Sequence, residues 1–245
     1  MNLALDSGNS LTKIGLFKND KLIKTSALKF NEKLLIRKIL SLNPGHIILS
    51  SVGNDLNGIY KQLKKTIPTF VLRSSSKFPF KNLYKSPKTL GNDRLALAAG
   101  AVTLYPHQNC LVISAGTCIT YNFINSDTEF IGGAISPGIK MRLDVLHSQT
   151  ALLPLIKKLT IPPLVGKTTK ESIQGGALYG ICQEIGGIAK LYRTAYSDLK
   201  VILCGGDAEF LKTFIDVPLR VHPHLGMHGL NKILEMETFK VSPRS

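Results

Sequence analysis

A chain of 245 residues with 44% hydrophobic and 19% charged content can bury one large or two modest cores and is too apolar to be disordered. No apolar run approaches the roughly 18 residues a bilayer span needs, and a start with neither a basic region nor an apolar signal stretch predicts a protein that is not secreted. The net charge of +15 raises nucleic acid as a partner, but Lys18, Lys21, Lys24, Lys29, Lys33, Lys61, Lys64, Lys65, Lys157 and Lys158 are dispersed, without an aromatic-studded stripe, and point instead to a solvated surface that steers anionic substrates.

Hydrophobic alternation predicts strands at about 2–6, 12–17 and 21–30. Between the first two lies Asp6-Ser7-Gly8-Asn9-Ser10-Leu11-Thr12-Lys13. The glycine lets the backbone turn tightly and lets an anion approach its N–H groups. Asn9 and Ser10 can donate to phosphate oxygens, Lys13 can neutralise them, and Asp6 can hold the divalent cation that accompanies a nucleotide. A hairpin with a merely polar turn is the plain alternative. A helix is expected near 32–42, a buried strand at 46–50, a helix over 55–67 and a short strand at 69–72. Residues 73–90, rich in Ser, Lys and Pro, read as a mobile loop carrying Tyr84. The alanine-rich run 93–104 predicts a helix.

The segment Cys110-Leu-Val-Ile-Ser114-Ala-Gly116-Thr117-Cys-Ile-Thr120-Tyr121 repeats the first hairpin: apolar strand, small polar turn, apolar strand. A three-strand opening continues through Ile131, and Gly132-Gly133 and Pro137-Gly138 read as turns before a helix near 138–150. A loop through Pro162 and Pro163 leads to a long helix from about 170 to 196. A buried strand from Val201 ends at Gly205-Gly206-Asp207, followed by a helix, a strand near 218–222 and a further helix. Strand-rich openings followed by alternating strand and helix imply a duplicated α/β architecture with mixed sheets, divided into 1–107 and 108–245. Cys110, Cys118, Cys182 and Cys204 lie in apolar segments without a Cys-x-x-Cys pair and read as reduced core cysteines of a cytoplasmic protein.

Gly91-Asn92-Asp93-Arg94 opens the alanine-rich helix. Asp93 can be an ordinary acid favoured by the helix dipole, or a carboxylate that accepts a hydroxyl proton during phosphoryl transfer. Arg94 can clamp a carboxylate bidentately, with Tyr84 a short distance upstream. His222, His224 and His228 lack a nearby acid or cysteine and read as surface histidines. Neither a Gly-x-x-x-x-Gly-Lys-Ser/Thr loop nor a Gly-x-Gly-x-x-Gly fingerprint occurs.

Two phosphate-binding hairpins in one chain resemble the actin, heat-shock chaperone and sugar kinase superfamily. The ordered set Asp6-x-Gly8-Asn9-Ser10-x-x-Lys13, Gly91-x-Asp93-Arg94, Gly116-Thr117-x-x-Thr120, Gly132-Gly-x-Ile-x-Pro137-Gly138, Thr150-Ala-x-Leu-Pro154, Gly166-Lys-Thr-Thr169-x-Glu171 and Gly205-Gly206-Asp207 resembles type III pantothenate kinase over essentially the whole chain. The resemblance implies two ribonuclease H-like (actin-like ATPase) domains with a cleft between them. It implies a cytoplasmic homodimer with shared active sites that phosphorylates pantothenate with ATP and a divalent cation, such as magnesium, at the first step of coenzyme A synthesis. Carried over, Asp6, Ser7, Gly8, Asn9, Ser10, Leu11, Thr12 and Lys13 form the ATP loop, with the divalent cation at Asp6, and Thr117 touches the nucleotide. Asp93 is the general base, and Tyr84, Gly91, Asn92 and Arg94 line the pantothenate site. Thr169 reaches the substrate across the dimer interface.

The chain departs from this pattern where the second hairpin usually carries carboxylates. Ser114 stands at an aspartate position that helps bind a monovalent cation, and Asn122 at a second acid; Cys118 replaces an alanine. A serine hydroxyl is a weaker ligand than a carboxylate, so activity is expected to depend little on potassium or ammonium. These losses motivate an alternative, a catalytically weak ATP-binding regulatory protein on the same fold, which retention of Asp6, Lys13, Asp93 and Arg94 opposes. A nucleic-acid-binding regulator has only the net charge in its favour.

Overall fold

A computed structural model describes residues 1–238 of the chain. The elements in order are β1 (Asn2–Ser7), β2 (Thr12–Lys18), β3 (Lys21–Leu28), α1 (Glu32–Ser41), β4 (His46–Ser51), α2 (Asn57–Leu63), β5 (Thr69–Val71) and β6 (Lys81–Asn82). A 3₁₀ turn at Pro87–Thr89 precedes α3 (Asn92–Leu104), β7 (Cys110–Ala115), β8 (Cys118–Ile124), β9 (Glu129–Pro137), α4 (Ile139–Ser148) and α5 (Thr169–Ala195). Then come β10 (Lys200–Cys204), α6 (Ala208–Lys212), β11 (Arg220–Val221) and α7 (Leu225–Thr238).

The first sheet runs β3-β2-β1-β4-β5, with β1 antiparallel to β2 and parallel to β4. Period-two alternation sorts its side chains. Leu3 and Leu5 of β1 join Ile47 and Leu49 of β4 in a core closed by Leu35, Ile39, Ile59 and Leu63 of α1 and α2. The opposite face meets α7, which packs on β1 and β4 and against α3. Helix α3 is therefore covered nearly all round, and its Leu95–Ala101 run is buried throughout. Asn19 and Asp20, at φ of 48° and 63°, supply the left-handed backbone for the tight β2–β3 turn.

The second sheet runs β11-β10-β7-β8-β9-β6. From β9 to β11 it repeats the β3-to-β5 order, so the duplicated, mixed-sheet α/β plan is present in the strand connectivity itself. The described residues form two compact units, one of residues 1–108, 123–132 and 224–238, the other of 109–122 and 133–223. No helix among the described residues is long and apolar enough to cross a membrane.

Four local expectations are corrected. Gly132 and Gly133 are not a turn: they lie inside β9 at φ of 139° and 148°, and the strand continues through them to Pro137. Residues 73–90 are not loop throughout. β6 pairs parallel to β9, and Phe78, Phe80 and Tyr84 join Phe130 in an aromatic cluster that fastens the segment. His228 is half-buried rather than on the open surface, and its ring packs edge-on against Phe17 with centroids 5.5 Å apart. Helix α2 is shorter than expected, beginning after Asp55, whose carboxylate accepts the Asn57 N–H at 2.9 Å.

Candidate active site

The first hairpin holds an acid at the end of a strand. Asp6 and Lys13 are cross-strand partners, as are Ser7 and Thr12, and the turn is closed by the Gly8 N–H donating to the Leu11 carbonyl at 3.1 Å. Ser7 and Thr12 are buried and their hydroxyls lie 3.1 Å apart in a mutual hydrogen bond. Asn54 donates to Ser7 Oγ at 2.9 Å, so this layer fastens the hairpin from beneath. Asn9, Ser10, Leu11 and Lys13 remain exposed above it.

Parallel pairing sets Ser50 of β4 beside Asp6, and its hydroxyl donates to Asp6 Oδ1 at 3.1 Å. Burial pushes the Asp6 carboxyl up, and the charge of Asp93 pushes the same way; the Ser50 hydrogen bond and Lys13 pull against them. Two acids far apart in sequence are thus electrostatic neighbours. Burial also raises the Asp93 carboxyl, opposed by the Arg94 backbone N–H, the Arg94 charge and the Asp93 N–H. These N–H groups are orphan donors of the first turn of α3, where a carboxylate is favoured.

Arg94, next on the helix, is 4% exposed. Its guanidinium carbon lies 5.4 Å from the Tyr84 ring centroid and 5.7 Å from that of Phe130. Two aromatic faces confine a cation that would otherwise sample many rotamers, which pre-organises it to grip an anionic group. Asn92 directs its amide Nδ2 to the Ser51 and Leu72 carbonyls at 3.2 and 3.3 Å, tying the start of α3 to the ends of β4 and β5. Gly91 occupies the N-cap without a side-chain cap. Asp6, Lys13, Tyr84, Gly91, Asn92, Asp93 and Arg94 all belong to the first unit.

Ser114, Thr117 and Thr169 belong to the second unit. Ser114 is half-buried near the end of β7, and Thr117 is exposed in the turn before β8. Asn122 is fully buried, its Nδ2 donating to the Val112 carbonyl at 3.2 Å and Thr120 Oγ1 at 3.1 Å. In this chain the Asn122 amide nitrogen thus serves as a donor, a role an ionised carboxylate could not fill. Thr169 is the first residue of α5. A capping box between Thr168 and Glu171 satisfies the helix start and leaves Thr169 exposed.

Ser50, Asn54 and Phe130 were missed in the sequence. Ser50 and Asn54 had a signal, because a polar run ending buried β4 must lie level with the end of its parallel neighbour β1. Phe130 had none, since its role follows from tertiary packing.

The family model for type III pantothenate kinase matches residues 2–191. A type III pantothenate kinase of Christiangramia forsetii is 39% identical over 240 residues, covering 96% of this chain and 98% of that protein. Among solved structures, a conserved Baf family protein from Campylobacter jejuni aligns over 97% of this chain and 99% of its own, with a TM-score of 0.62 at 23% identity. The ROK hexokinase of Thermus thermophilus aligns over 96% and 99%, with a TM-score of 0.51 at 14% identity. The mixed sheets are those of the actin-like ATPase and sugar kinase fold, and this chain belongs to the type III pantothenate kinase family.

Proposed function

We propose that the protein transfers the terminal phosphoryl group of ATP to the primary hydroxyl of pantothenate, the first step towards coenzyme A. The observation that carries this reading is the pairing of Asp6 with Asp93, two carboxylates raised by burial, one flanked by Lys13 and the other by Arg94. Asp93 accepts the hydroxyl proton as the oxygen bonds to phosphorus and the bridging P–O bond breaks to release ADP. Its raised pKa makes it the stronger base once ionised. Arg94, held between Tyr84 and Phe130, grips the pantothenate carboxylate.

Asn9, Ser10 and the N–H groups of the turn cradle phosphate oxygens, and Lys13 neutralises them. A divalent cation fits the site at Asp6, whose buried carboxylate is oriented by Ser50 and repelled by Asp93, so that a cation would relieve both burial and repulsion. When bound it supplies charge neutralisation of the transferring phosphoryl group. Thr117 completes the nucleotide site from the second hairpin. The reading takes 1–107 and 108–245 as the two actin-like halves. It includes a cytoplasmic homodimer, with Thr169 completing the partner's substrate site. Four free cysteines, three of them buried, suit a reducing compartment.

A coupled ADP-release assay with and without pantothenate tests the proposal. Turnover should require pantothenate, and Asp93→Asn should retain ATP binding while lowering turnover by roughly 10²–10⁴-fold, towards the lower end if positioning outweighs proton removal. Near-normal turnover in that variant removes Asp93 as the base. Salt-dependent DNA binding without pantothenate-stimulated ADP release would replace the kinase reading altogether.

A further inference from the structure

Midway along α5, Glu184 gathers donors from three other elements. Tyr121 of β8 donates its hydroxyl to Oε1 at 2.8 Å and Ser136 of β9 donates to the same oxygen at 2.6 Å. Arg142 of α4 pairs with Oε2. Arg142 also donates through Nε to the Pro137 carbonyl at 3.0 Å and through a terminal nitrogen to Ser136 Oγ at 3.3 Å. Tyr121 is fully buried, whereas the ion pair keeps 23% and 24% of its side-chain surface exposed. Burial raises the Glu184 carboxyl, but the bonds from Ser136, Arg142 and Tyr121 and the Arg142 charge outweigh it, so the group stays below the usual carboxylate range.

A partly buried ion pair is a weak source of stability, because desolvation offsets much of its attraction. What this network does supply is position, and three of its bonds, Ser136 to Glu184, Arg142 to Pro137 and Arg142 to Ser136, hold one corner, Ser136-Pro137, which leads into Gly138. That corner lies on the second hairpin's turn. The Gly138 N–H donates to the Thr117 carbonyl at 3.1 Å, and a Cβ at 138 would strike the Gly116 carbonyl, so backbone rests directly on backbone. Arg142 and Glu184 thus hold Ser136 and Pro137, the residues that lead into the Gly138 contact with the Gly116–Thr117 turn.

We infer that Glu184 and Arg142, with Tyr121 and Ser136, are positioning residues that hold the Gly116–Thr117 turn in the geometry that receives ATP, without touching ATP themselves. This rests on the reading of Thr117 as a nucleotide contact. Nothing in their spacing marks them, because they come from four elements that only the fold brings together.

The experiment is steady-state kinetics with ATP and pantothenate varied separately, on wild type, Glu184→Gln, Arg142→Lys, Tyr121→Phe and Thr117→Ala. Misplacing a binding turn by a fraction of an ångström should raise the ATP KM about tenfold in Glu184→Gln, with the pantothenate KM within about twofold of wild type. Arg142→Lys keeps the charge but loses the Nε bond to Pro137, and should fall between wild type and Glu184→Gln. If Glu184→Gln does not fold, Tyr121→Phe still reads the network by removing one donor, with an ATP KM raised about two- to fivefold. Equal rises in both KM values would mark a general loosening of the unit and overturn the inference. If Thr117→Ala raises the ATP KM while Glu184→Gln and Tyr121→Phe leave it unchanged, the network alone falls. An unchanged ATP KM in Thr117→Ala removes the hairpin from the nucleotide site, and both readings fall.

Discussion

Replacing Asn122 by aspartate restores the family's second acid but introduces an acceptor where this chain's packing uses a donor. Asn122 is fully buried in β8, and its amide nitrogen serves the Val112 carbonyl at 3.2 Å and Thr120 Oγ1 at 3.1 Å. An ionised aspartate would set an oxygen against the Val112 carbonyl, and leaving a buried polar group unserved costs about 1–3 kcal/mol. Burying the charge costs more. A shift of about three units, ordinary for a carboxyl at full burial, corresponds to about 4 kcal/mol at a pH above the shifted value. The sign follows from linkage: with the folded pKa raised above the unfolded one, stability is retained below the unfolded pKa and lost as pH rises through the folded pKa. Asn122→Asp should therefore melt roughly 8–16 °C below wild type at pH 8, taking about 2–4 °C per kcal/mol for a chain of this size. The deficit should be smaller at pH 5, where the protonated acid can again donate. Calorimetry or circular dichroism melts at both pH values provide the assay. A loss under about 3 °C at pH 8, or an equal loss at both pH values, would refute the donor requirement at this position.

Half-buried Ser114 tolerates an acid better, and Ser114→Asp should change stability by no more than about 1 kcal/mol while introducing potassium activation, which wild type should lack. Pantothenate phosphorylation across a potassium series at constant ionic strength, with a bulky organic cation as replacement, reads both; strong potassium activation of the wild type would contradict the expectation. If Thr169 completes a neighbouring subunit's site, mixing inactive Asp93→Asn chains with inactive Thr169 variants should restore part of the activity, because one composite site escapes both changes. No rescue in proven heterodimers would exclude a shared site. Asp93→Asn should also raise the melting temperature, more at pH 8 than at pH 5. It removes an acid whose folded pKa is raised by burial and relieves Asp6, so the stability lost on ionisation is recovered; an unchanged melting temperature at pH 8 would count against repulsion between the two acids.

Local pattern determined much of this protein. Alternation around Asp6-to-Lys13 and around Ser114-to-Tyr121 was sufficient for two strand–turn–strand units, and the alanine run after Asp93 for α3, because period and turn chemistry are properties of neighbouring residues. The motif order from Asp6 to Asp207 was sufficient for the family. Tertiary structure decided which polar groups find partners. Asp6 and Asp93 share one environment because β1 lies beside β4, against which α3 packs, and burial there raises both carboxyls. Residues 73–90 read as loop by composition, yet Phe130, a distant residue, packs against Phe80 and Tyr84. Asn122 stands at a family acid position, yet in this chain its buried amide nitrogen serves the Val112 carbonyl. Glu184 looked like any acid on a long helix. Desolvation and hydrogen-bond satisfaction depend on atoms supplied by other segments, and no spacing within one segment encodes them.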